Sequence, residues 1–164
     1  KEYRRQRQMC IRDRYNFGKT VDVLTIEIEN VNTDALERLE KEGVKVYPSS
    51  INIKTIQNKS IQKNFYLKNK LPSSYFKTYK SINDLVSDAN AKKCKYPFVW
   101  KSARFGYDGK GQTIVNNLDE LKKSYNDQES NIFVLEQKIS LKKEVSQIAA
   151  CYDNEIVFLS LIHI

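Results

Sequence analysis

YPFVWKSARFGYDGKGQTIV, Tyr96–Val115, holds three of the chain's five glycines, Gly106, Gly109 and Gly111, between two short apolar runs. YPFVWK and QTIV have strand composition, so the glycines belong to a strand–loop–strand element and not to a strand-to-helix turn. That excludes two familiar phosphate loops. The stretch has no Gly-x-x-x-x-Gly-Lys-Ser/Thr, and its glycines do not open a helix as a dinucleotide-binding fingerprint must. Two readings fit the stretch taken alone. Asp108-Gly109 is a favoured two-residue turn for a plain hairpin. A plain hairpin needs only one glycine, however, and here Gly106 and Gly111 flank the turn, Lys101 closes the first strand and Lys110 stands between the last two glycines. Glycines let backbone N–H groups approach a polyphosphate and lysines neutralise it, so the second reading is a loop that closes over nucleotide phosphates.

Outward from this element the chain alternates strand and helix patterns, which predicts an α/β (α+β) fold. TVDVLTIEIENV (Thr20–Val31) alternates from Leu24, with Leu24, Ile26 and Ile28 on one face and Thr25, Glu27 and Glu29 on the other, and reads as a strand with an acidic end. NTDALERLEKEG predicts a helix capped by Asn32 or Thr33, burying Ala35, Leu36 and Leu39 and stopping at Gly43. VKVYPS is a short strand halted by Pro48. Asn58–Lys70 is expected to be helical before Pro72. Ser81 and Asp84 form a capping pair for a helix burying Ile82, Leu85, Val86 and Ala89, and NLDELKKSYND supplies another helix after the glycine loop.

A nucleotide site also needs an adenine pocket and a grip on the ribose. In NIFVLEQKISLKKEVSQIAA (Asn131–Ala150), Phe133, Val134 and Leu135 read as a buried strand, Glu136–Ile139 as a connecting segment leaving it, and Glu144 stands eight residues beyond Glu136. Backbone groups of such a connector can pair with the adenine edge, and one carboxylate can accept both ribose hydroxyls. A Glu-rich surface strand accounts for the same residues, and the pattern alone leaves both readings open.

Composition narrows the function classes. With 164 residues, 40% of them hydrophobic, the chain can bury the core of one domain of common size. It has neither a long apolar run nor a secretory leader pattern, which predicts a cytoplasmic protein without a membrane partner. Cys10, Cys94 and Cys151 are odd in number and scattered, as expected of reduced, structural thiols. Half of the net charge of +8 lies within residues 1–14; the rest forms no basic stripe and the tyrosines do not interleave with it, which argues against a nucleic-acid partner. The ends are unusual. MCIRDR (Met9–Arg14) back-translates to atgtgtataagagacag, the reverse complement of ctgtctcttatacacat, an in-frame coding of LSLIHI (Leu159–Ile164). The shared word resembles a transposon end used in sequencing libraries, so residues 1–14 and 159–164 are expected to be artefact around an internal fragment. His163, the only histidine, lies in that tail, and no histidine base or metal ligand is sought.

DVLTIEIENVN, VYPS, IQNKSIQK, PFVWKSARFGYDGKGQ and VLEQKISLKKEVS together span Asp22–Ser146, and in this order they resemble the 5-(carboxyamino)imidazole ribonucleotide synthetases, a family of the ATP-grasp superfamily. The phrase GYDGKGQ after a strand ending in Lys is the most specific of them. The resemblance implies a partial ATP-grasp architecture: residues 15–50 end an N-terminal α/β domain, 51–93 form a connector and the start of the ATP-grasp region, and 94–158 form a lid domain, with the C-terminal ATP-grasp domain mostly missing. It implies ATP contacts at Lys59 and Lys101, a phosphate loop of Gly106, Tyr107, Asp108, Gly109, Lys110, Gly111 and Gln112, an adenine connector of Glu136, Gln137, Lys138 and Ile139, and a ribose ligand at Glu144. Glu29, Tyr107 and Lys110 fall where the family contacts its ribonucleotide. The implied reaction is ATP-dependent carboxylation of 5-aminoimidazole ribonucleotide with bicarbonate in purine synthesis, by a parent enzyme that is a homodimer. The family's Mg²⁺ carboxylates lie beyond Val145, so no metal ligand is assigned, and the fragment itself is expected to be inactive. A different ATP-grasp carboxylase or transformylase, or a basic nucleic-acid-binding module, are the alternatives.

Overall fold

A computed structural model describes residues 14–104, 111–124, 132–152 and 155–163. Its first unit joins β1 (Val23–Thr25), α1 (Thr33–Lys41), β2 (Lys45–Tyr47) and α2 (Ser50–Ile56), with β1 and β2 paired in parallel. The α1 stripe packs as its periodicity requires: Leu36 and Leu39 join Val46 and Ile53 in one apolar cluster, with Leu24, Ile26 and Tyr15 against it. Asn32 caps α1 by accepting from the Ala35 N–H at 2.7 Å, and Gly43 follows at φ 93°, a conformation that suits glycine after a helix end.

The long strand read over Thr20–Val31 is corrected to three residues. β1 has β2 as its pairing partner, and β2 ends at Tyr47 before Pro48, so the ladder stops once the Ile26 N–H has bonded the Tyr47 carbonyl. Beyond it the chain bends, and Ile28, read as inward-facing, is exposed. The bend is tied down because the Gln57 side-chain amide donates to the carbonyls of Glu29 and Val31.

After α3 (Lys59–Lys68) comes a four-stranded antiparallel sheet of β3 (Phe76–Tyr79), β4 (Phe98–Ser102), β5 (Gln112–Val115) and β6 (Phe133–Gln137), in the order β3-β6-β4-β5. α4 (Ile82–Asn90) and α5 (Leu118–Ser124) cover one face. Phe98 and Trp100 of β4, Phe133 and Leu135 of β6, and Leu85 and Leu121 of the helices make that core, while alternation sends Val99, Lys101, Val134 and Glu136 to the other face. Ser81 accepts from the Asn83 and Asp84 N–H groups at the start of α4, as expected of a cap. A hairpin of β7 (Val145–Tyr152) and β8 (Glu155–His163) completes the described chain, and its pairing takes in residues 160–163, with the register shifting at Leu159. Cys94 is buried, as a structural thiol should be, and Cys151 is exposed. Among the described residues no helix is long and apolar enough to cross a membrane.

Candidate functional site

The site is built on the sheet face opposite the aromatic core. Val99 and Glu136 are direct cross-strand partners, and Lys101, two residues on, shares their face, so the antiparallel register brings its ammonium to Glu136. The two groups lie 3.2 Å apart through Oε1. α3 lies against the same face. Its first turn is fixed by Asn58, whose Oδ1 accepts from the Ser60 and Ile61 N–H groups, and by the Lys59 N–H, which donates to the Ala103 carbonyl just past the end of β4. Lys63, one helical turn after Lys59, reaches Glu136 Oε2 at 3.1 Å.

The electrostatics follow from this crowding. Burial alone would push the Glu136 carboxyl up, but Lys101 and Lys63 more than offset it and hold the group below the usual carboxylate range. Lys59 shifts down, first because it is half-buried and then because Lys101 sits near it; Glu29 and Glu136 act in the opposite sense. The turn that carries Lys59 is tied to Ala103 just past β4, so its charge and that of Lys101 bear on one partly desolvated place, which an anion stabilises. Lys101 also lines an open cleft of about 530 Å³ with Val99, Gln112, Thr113 and Ile114, on the ribbon whose two strands flank the glycine loop. A separate cleft of about 400 Å³ is lined by Lys77, Tyr79, Asp84 and Asp88, and there Lys77 and Asp88 pair with each other.

Lys59, Lys101 and Glu136 are therefore brought together, with the charge of Glu29 acting on Lys59. Gly111 has φ 72° and its carbonyl accepts from the Ser102 N–H, closing the base of the β4–β5 ribbon at exposed Gln112. Gly106, Tyr107, Asp108, Gly109 and Lys110 lie outside the described residues. The connector read from Glu136 onward is corrected: Glu136 and Gln137 are the last residues of β6, because β3 and β4 pair with it that far. Lys138, Ile139 and Glu144 are exposed on the coil that follows, outside the lysine cluster. Lys63 was not singled out from sequence, although its place four residues after Lys59 puts both on one helix face. Among the described residues no cluster of His, Cys, Asp or Glu could hold a metal ion.

A family profile described as the ATP-grasp domain matches residues 64–163, and one described as the ribonucleotide synthetase preATP-grasp domain matches residues 9–57. The chain is 32% identical over 134 residues to the N5-carboxyaminoimidazole ribonucleotide synthase of Staphylococcus epidermidis, covering 79% of this chain and 34% of the relative. The carboxyaminoimidazole ribonucleotide synthase of Aspergillus clavatus, solved with ATP, superposes with a TM-score of 0.80 at 30% identity, covering 90% of this chain and 38% of that one. The same fungal enzyme with ADP and 5-aminoimidazole ribonucleotide gives a TM-score of 0.75 at 28% identity, covering 89% and 37%. The chain thus spans well under half the length of these proteins. The profile over residues 64–163 and these relatives show the family: the chain belongs to the ATP-grasp family, alongside the carboxyaminoimidazole ribonucleotide synthetases.

Proposed function

We propose that the chain is the nucleotide-handling part of an ATP-dependent ligase that carboxylates 5-aminoimidazole ribonucleotide with bicarbonate in purine synthesis, forming ADP and phosphate. The observation that carries this reading is Lys101, held 3.2 Å from Glu136 and lining an open cleft on the ribbon that flanks the glycine loop, with the helix turn of Lys59 bonded to Ala103 just past the same strand. The named ligands of the similar solved enzymes support ATP and the ribonucleotide as the substrates. In this account Lys59 and Lys101 draw charge from the β- and γ-phosphates, and the Gly106–Gln112 loop closes over them. Backbone groups of Lys138 and Ile139, just past β6, face the adenine, and Glu144 takes the ribose hydroxyls. Glu29, Tyr107 and Lys110 face the ribonucleotide. Bicarbonate attacks the γ-phosphorus and ADP leaves; the exocyclic amine then takes the carboxyl carbon of the resulting carboxyphosphate, and phosphate leaves. Exclusion of water is the loop's contribution, since carboxyphosphate hydrolyses readily. Magnesium accompanies the nucleotide and screens its charge, and the whole enzyme is a cytoplasmic homodimer.

The test is phosphate release from ATP by a full-length protein containing this chain, with bicarbonate and with or without aminoimidazole ribonucleotide. The reading requires ribonucleotide-stimulated release that falls roughly ten- to a hundredfold in Lys101→Ala. Release indifferent to the ribonucleotide would overturn it.

A further inference from the structure

We propose that Lys63 is a positioning residue of the nucleotide site: it sets, through Glu136, where Lys101 presents its ammonium, without touching the nucleotide. The proposal rests on the reading of Lys101 as a phosphate contact. An ammonium has three N–H donors, and all three of Lys63 are engaged: by Ser73 Oγ at 2.8 Å, Ser74 Oγ at 3.1 Å and Glu136 Oε2 at 3.1 Å. Ser74 Oγ–H itself donates to Glu136 Oε2 at 3.1 Å. One carboxylate oxygen is thereby clamped from two sides, and the other, Oε1, is left to Lys101. The two lysines differ in access: the Lys63 side chain is 11% exposed and that of Lys101 22%, and Lys101 alone of the two lines the open cleft.

The division of oxygens matters because Glu136 is both an anchor and a competitor for Lys101. Released from Lys63 and Ser74, its carboxylate is free to turn both oxygens toward Lys101, whose ammonium has donors enough to meet both. The cation intended for phosphate would then be neutralised by its own neighbour. Lys63 prevents this by holding one oxygen 3.1 Å from its own ammonium.

The experiment is a double-mutant cycle on ATP affinity, measured calorimetrically with the 164-residue chain: wild type, Lys63→Met, Glu136→Gln, the double variant, and Lys101→Ala, with folding checked by thermal unfolding of Trp100 fluorescence. Lys63→Met should weaken ATP binding about tenfold in the wild-type background and less than about twofold when residue 136 is glutamine, since the carboxylate transmits the effect. Ser74→Ala, milder for folding, should weaken binding about threefold and show the same dependence on Glu136. An equal loss in both backgrounds would mean that Lys63 acts by its own charge, and would overturn the proposal, as would no loss at all. Affinity unchanged by Lys101→Ala is a different failure: it removes the phosphate-contact reading and the proposal with it.

Discussion

Glu136 is a carboxylate buried among lysines, and its contribution to stability depends on pH. Its folded pKa lies below the ordinary value because Lys101 and Lys63 outweigh the upward push of burial. A depressed acid stabilises the fold fully above the ordinary carboxylate range and loses that contribution as pH falls through the depressed value. Glu136→Gln removes this dependence and leaves two lysines without their anion. Urea unfolding followed by Trp100 should show stability lower by about 2–4 kcal/mol at neutral pH. It should also show a shallower decline than wild type between about pH 5 and 3. An identical acid slope in both proteins would contradict this. Lys101 was legible from residue type and its place at the end of a strand pattern, whereas Lys59 and Glu136 were singled out only through the family resemblance. The ion pairs were not legible, because Lys63 and Glu136 meet only once α3 has docked on the sheet.

At the scale of elements, the strongest signals were helices with a cap and a stripe, and the weak ones were short pieces specified by their neighbours. α1 and α4 have Asn32 and Ser81 as caps and regular apolar spacing, and both formed where the pattern put them. α2 (SINIKTI) is rich in β-branched residues that disfavour helix, and it buries one large apolar side chain, Ile53. What anchors its start is Glu40 of α1, which accepts from both the N–H and the hydroxyl of Ser50, a tertiary contact no local pattern reveals. β3 is likewise a strand because β6 pairs with it. The cap of α3 supports the site directly, since Asn58 fixes the turn that carries Lys59. Asn58→Ala should cost about 1–2 kcal/mol in urea unfolding, and Asn58→Asp much less. At Gly111, φ 72° makes Gly111→Ala costly by about 1 kcal/mol, with Gly111→Asn better tolerated. Equal stability of the alanine and asparagine variants would argue against the left-handed turn.

Across the whole molecule, burial is uneven. The sheet of β3–β6 has a dense aromatic core, whereas Val145, Ile156 and Phe158 of the β7–β8 hairpin are exposed. A two-stranded hairpin with little packed against it opens locally, so amide exchange should be much faster in β7–β8 than in β4 and β6. Comparable protection in both would contradict that. The match also covers only 34% to 38% of the relatives' own length. The chain is therefore expected to bind ATP without ribonucleotide-stimulated turnover, because positioning and charge stabilisation act jointly over the full cleft. The central claim is that Lys101, held by Glu136 at the edge of the cleft, receives the phosphates of ATP. Calorimetric titration of ATP into wild type, Lys101→Ala and Lys95→Ala, an exposed lysine away from the site, tests it most directly. The account predicts affinity about tenfold or more weaker for Lys101→Ala and within about twofold of wild type for Lys95→Ala; equal affinities for the two variants would contradict it.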